Sequence, residues 1–146
     1  MQKLDFGEKL DLIVQQDSRY DREAYLFLRD ALDYTVKLRK KAKEGTDHVT
    51  GQQLLDGVRR FALKQYGPMV PTVFEFWNLK ETEDFGHMVF ALVSVGIFGK
   101  TDRDSIEDFR RVYSFHDAFV APYLPEPTGT VPPGRLTVDS PAEELN

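Results

Sequence analysis

The chain reads as a mainly α-helical domain. The expected form is a winged-helix-like centre with an N-terminal helical extension and a small β-hairpin; the alternative is an all-α bundle. Three observations lead there. Apolar residues recur at i, i+3, i+4 and i+7 over most of the first 95 positions. Cap residues stand ahead of the apolar stripes, and Gly or Pro follows them. No long alternating run precedes residue 97.

The elements follow in order. Leu4, Leu10, Ile13 and Val14 have helical spacing, and Asp17-Ser18-Arg19-Tyr20-Asp21 interrupts them. Asp21 caps a second helix, about Arg22 to Lys43, with a stripe of Ala24, Tyr25, Leu28, Ala31, Leu32, Thr35, Val36 and Leu38. Thr50 with Gln53 predicts a capping box ahead of Leu54, Leu55, Val58, Phe61, Ala62 and Tyr66. Gly67-Pro68 ends that helix, and Pro71 suits the first turn of a short one, Thr72 to Trp77. Asn78 stands where a left-handed turn residue is wanted. A helix from Thr82 to Val95 then shows Phe85, Met88, Val89, Leu92 and Gly96 on one side. Beyond it, Phe109, Arg111, Tyr113 and Phe115 alternate as in a strand, while Ile106, Phe109, Val112 and Tyr113 fit a helix equally well. Ser114 to Val120 predicts a short closing helix. Six of the eight Pro fall after residue 121, which predicts a domain over 1–121 and a Pro-rich, disordered tail over 122–146.

From about Phe6 to Tyr123 the chain resembles an uncharacterised bacterial family, described as restricted to planctomycetes and verrucomicrobia. The resemblance rests on His48-Val49-Thr50-Gly51-Gln52, Thr82-Glu83-Asp84-Phe85-Gly86, Gly99-Lys100-Thr101 and Glu107-Asp108-Phe109. It implies no activity, cofactor or catalytic residue.

Composition narrows the function classes. The net charge is -5, and the last third, residues 101–146, holds four basic against nine acidic side chains. Nucleic-acid binders usually carry a basic field, so this balance argues against one. Without Cys there is no disulfide, thiolate metal site or Cys nucleophile. A charged N-terminus and a longest apolar run of Met88–Val93 predict a cytoplasmic protein with no membrane span.

The segment Val73 to Thr101 resembles a winged helix-turn-helix, yet its second helix turns Glu83, Gly86, His87, Phe90 and Ser94 outward. Base reading relies mainly on Arg, Lys, Asn and Gln, and this helix has none. The basic residues Lys37, Arg39, Lys40, Lys41 and Lys43 close the second helix, where cations complement exposed carbonyls. They are the candidates for a weak nucleic-acid contact. His48, His87 and His116 have no metal-ligand spacing. No phosphate loop, dinucleotide fingerprint or nucleophile elbow occurs, and Gly99-Lys100-Thr101 reads as a turn. No metal or cofactor is expected. Phe74, Phe76 and Trp77 cannot all point one way on a short helix, so at least one faces outward. The expected role is a protein–protein interaction or structural module, with Glu83, His87, Phe90 and Trp77 as contact candidates and a protein partner or self-association as the partner class. Nucleic acid and membrane are not expected partners.

Overall fold

The computed structural model describes residues 4–42, 48–99 and 105–125. Five α-helices form the frame: α1 (Phe6–Gln16), α2 (Arg22–Lys41), α3 (Gly51–Tyr66), α4 (Val70–Phe76) and α5 (Thr82–Ser94). Short 3-10 turns at Gly67–Met69, Ile106–Phe109 and Ala121–Tyr123 and a π-helical turn at His116–Val120 complete the described part. It is mainly helical, and no strand occurs among the described residues. Of residues 97–113, where a hairpin and a helix stood equally open, Ile106–Phe109 forms a 3-10 turn whose start Ser105 and Asp108 cap as a box, and 100–104 lie outside the described residues. Lys43, Lys100-Thr101 and the Pro-rich residues 126–146 lie outside the described residues.

Caps set the helix starts. Asp5 and Glu8 satisfy each other's backbone amides at α1. Asp21 accepts from the Glu23 amide at α2. Thr50 and Gln53 form the expected box at α3. Pro71 sits in the first turn of α4, which starts two residues earlier than its stripe suggested. Asn78 takes φ 66°, the left-handed turn that separates α4 from α5.

Packing follows the stripes. α2 lies along α3, and Gly57 lets the two helices approach at Thr35. Phe27 of α2 anchors a ring cluster, 5.4 Å from Trp77 and 5.7 Å from Phe74 between centroids. Phe74 in turn touches Phe85 of α5 and Phe115 and Phe119 of the closing segment. Tilted and edge-on rings at these distances add to the area they bury. The inner face of α5 is core as its stripe predicts: Phe85, Met88 and Leu92 are fully buried and Val89 nearly so.

Polar tethers hold distant segments. The Tyr20 hydroxyl donates to Asp84 at 2.6 Å, fastening the α1–α2 turn to the start of α5. Asn78 donates to the Arg19 carbonyl at 2.7 Å beside it. Tyr113 donates to the Leu55 carbonyl at 2.6 Å, joining the closing segment to α3. Burial raises the Tyr20 and Tyr113 phenols well above their ordinary value, and the bond to Asp84 adds to the effect at Tyr20. Burial pushes Tyr25 up to about 12.

These phenols fix the sign of an alkaline dependence. Below the unfolded value of 10.0 both states are neutral and stability is intact. Above it the unfolded phenols ionise first, so stability falls as pH rises through the folded values. Denaturant unfolding at stepped pH should give a free energy that declines only from about pH 10 upward, with tyrosinate absorbance appearing together with unfolding. Tyrosinate developing in full while the fold stays equally stable would contradict the assigned burial.

Candidate protein-contact surface

The sequence-derived candidates divide once placed on the fold. Trp77 is not a surface residue: it is 7% exposed, closed in by Phe27, Tyr66 and Phe74. Three aromatics in four positions on a short helix do force one outward, and that one is Phe76, 79% exposed. Spacing alone could not choose between them. α4 begins at Val70, and its inner face passes through Val70, Phe74 and Trp77.

Phe90 is half-buried, its ring set edge-on to Phe109 at 6.2 Å. It is therefore partly used within the fold. The outward face expected for it is partly roofed by the Ile106–Phe109 turn, an element brought in from far along the chain. Gly86, also expected to face outward, is buried under the same turn.

Glu83 and His87 share a face as expected, with Nε2 to Oε2 at 3.2 Å. The other Glu83 oxygen accepts from Arg110 Nε at 3.0 Å, and Arg110 also reaches Glu107. The acidic start of α5 is thus matched by a cation from the 110 turn. The groups are partly exposed, so the pairs fix side-chain positions and add little stability. Nearby, the Arg19 guanidinium donates to both oxygens of Asp17 and holds that carboxyl below the usual range.

The basic end of α2 is partly committed to the fold. Lys37 pairs with Asp33 one turn back at 2.9 Å. Arg39 is half-buried and lines a groove of about 570 Å³ between α2 and α3, with Thr35, Gln53, Asp56 and Arg60. Asp56 pairs there with Arg59 and Arg60. Lys40 and Lys41 are exposed, and Lys43 lies outside the described residues. Among the described residues no three His, Asp or Glu converge as metal ligands, and no helix is long and apolar enough to cross a membrane.

Three of the four segments behind the family resemblance meet at one point, and Lys100-Thr101 of the fourth lie outside the described residues. Thr82 is fully buried; its hydroxyl donates to the Phe109 carbonyl at 2.6 Å and accepts from the Val112 amide at 3.2 Å. A Cβ on Gly86 would lie 2.8 Å from Phe109, and one on Gly51 would lie 2.9 Å from the far end of the same ring. Asp84 accepts from the Lys80 and Glu81 amides as well as from Tyr20. Within the described residues these blocks serve packing and capping.

A second apolar feature flanks α4. A groove of about 590 Å³ runs between α4, the turn after it and the closing segment. Pro71, Phe74, Leu79, Phe115 and Phe119 supply its apolar lining, and Glu75 and Lys80 stand among its polar residues. Sequence reasoning missed this groove because its walls lie some forty positions apart. No protein-family model, curated protein or solved structure matches the chain.

The tether at Thr82 has a measurable consequence. Thr82→Val keeps the shape but leaves the Phe109 carbonyl and Val112 amide without a buried partner. Equilibrium unfolding should show a loss of about 1–3 kcal/mol. An unchanged free energy would mean that water replaces the hydroxyl and that the tether carries no stability.

Proposed function

We propose that the chain is a cytoplasmic protein–protein interaction module whose contact face is α4 and the groove beside it. In this reading α4, its turn and α5 form a helix-turn-helix-like scaffold, and the winged-helix likeness is one of packing. The observation that carries the proposal is Phe76, a large aromatic 79% exposed on α4, a helix that also supplies one wall of an aromatic-lined groove. Aromatic side chains are the usual anchors of protein interfaces. Met69, in the 3-10 turn just before α4, is also exposed. Glu83 and His87 stand outside this face as a polar neighbourhood already paired within the chain.

Nucleic-acid binding through the basic end of α2 is the less favoured reading, since Lys37 is ion-paired and Arg39 is half-buried. α5 offers little for base reading: its outward groups are a Glu, a His, a Ser and a half-buried Phe. The family resemblance belongs to the same proposal and adds no activity to it.

A photoreactive benzophenone amino acid at position 76, expressed in the source cells, tests the reading. Illumination should give a discrete covalent adduct with a polypeptide, while the same group at the exposed position 37 should not. Absence of an adduct at 76, or equal adducts at both positions, would remove the contact face.

A further inference from the structure

A small recess of about 200 Å³ lies where α2, α3 and the end of α4 meet. Four aromatic side chains line it: Phe27 of α2, Phe61 and Tyr66 of α3, and Trp77 at the C-cap of α4. Phe27 and Trp77 are nearly buried and form its floor, and the half-buried Phe61 and Tyr66 flank them. The rings of Phe27, Tyr66 and Trp77 lie between 5.4 and 6.2 Å apart at their centroids, with planes inclined by 35°, 47° and 80°. None of these pairs is a flat stack, so the rings do not cover one another face to face.

Two carboxylates border the same recess. Glu23, Phe27 and Asp30 stand at i, i+4 and i+7 on α2, which puts all three on one side of the helix. Burial raises the Tyr66 phenol above its ordinary value, and the charges of Glu23 and Asp30 raise it further, so both carboxylates bear on a ring of the wall. No Lys or Arg is among the lining residues. Elsewhere the chain sets its own cations over its rings: Arg29 over Phe6 at 4.3 Å, Arg19 over Tyr20 at 5.2 Å and Lys64 over Tyr34 at 5.5 Å. Arg29 also reaches Asp30 at 3.5 Å, yet its guanidinium lies over Phe6 and takes no part in the wall. The recess therefore joins aromatic walls to two negative charges without a cation of its own.

The chemistry of the walls selects the ligand. Aromatic rings attract a cation through their quadrupole, and the carboxylates add to that field. A metal ion would lack donors, since among the described residues no three His, Asp or Glu converge. A methylated ammonium is the better fit: it presents methyl groups to the rings and needs no hydrogen-bond acceptor. Pockets that enclose a whole small molecule measure about 300–1,000 Å³, so this recess takes a head group and leaves the rest of the ligand outside.

We propose that the recess binds a methylated ammonium group, held by the rings of Phe27, Phe61, Tyr66 and Trp77 and by the charges of Glu23 and Asp30. Phe76 and the groove of the proposed contact face take no part in it. A choline-like small molecule and a trimethylated lysine side chain carry the same head group, and the test separates them.

Trp77 is the only tryptophan of the chain, so its fluorescence reports on the recess directly. Titration of the full chain with choline at constant ionic strength should change that emission saturably. The neutral alcohol with carbon in place of the ammonium nitrogen has the same shape and should bind at least about tenfold more weakly. Glu23→Gln/Asp30→Asn neutralises two exposed side chains and should weaken choline binding roughly tenfold, with a nearly unchanged unfolding midpoint. No saturation with choline, equal binding of the neutral alcohol, or undiminished binding by the double variant would overturn the proposal. If the double variant fails to fold, the comparison of choline with the alcohol on the native chain decides alone. A trimethyllysine peptide that binds at least about tenfold more tightly than choline would assign the head group to a polypeptide, and equal affinity would assign it to a free small molecule. Both of these results uphold the site.

Discussion

The ring of Phe109 occupies a slot that a side chain on either of two glycines would close. Gly51 opens α3 and Gly86 lies in α5, and a Cβ on either would come within 3 Å of the ring. Real carbon atoms do not approach so closely without displacing something, so the Ile106–Phe109 turn seats only because both positions are bare. Phe109 itself is 1% exposed. Around it the same turn gains the bonds from Thr82, the Arg110–Glu83 pair and the edge of Phe90. The closing segment follows this turn and carries Phe115 and Phe119 into the ring cluster of α4. The groove beside α4 therefore owes one wall to a segment that follows this contact.

This dependence shows which parts of the fold could be read from residues alone. The helices of the first 95 positions rest on local signals. The Thr50–Gln53 box, Pro71, the left-handed Asn78 and the apolar stripe of α5 act within a turn or two, and each stands where its spacing puts it. The 105–113 segment behaves differently. Its two periodicities were equally good, and the choice fell to Ser105, Asp108 and a slot built by glycines more than twenty positions away. A glycine that clears space for a distant ring looks the same in a sequence as one that ends a helix.

The site residues divide for the same reason. Glu83 and His87 are neighbours on one helix, so their pairing was legible. Arg110, which matches the charge of Glu83, is 27 positions on and was not. Trp77 and Phe76 are adjacent, and only the direction of the α4 axis against Phe27 decides which is core. The likeness to a DNA-reading helix-turn-helix came from packing features: a short helix, a left-handed turn and an apolar helix. Those features serve the core here, and the surface chemistry on α5 is of another kind.

One substitution tests the seat of Phe109 by its sign. In a helix interior, alanine is favoured over glycine by about 0.5–1 kcal/mol, so Gly86→Ala should stabilise the protein if nothing occupies the space above it. With the ring seated as described, Gly86→Ala should instead lower the free energy of unfolding, and the loss should shrink when Phe109 is already replaced by alanine. A Gly86→Ala variant more stable than the native chain would contradict the slot and the account built on it.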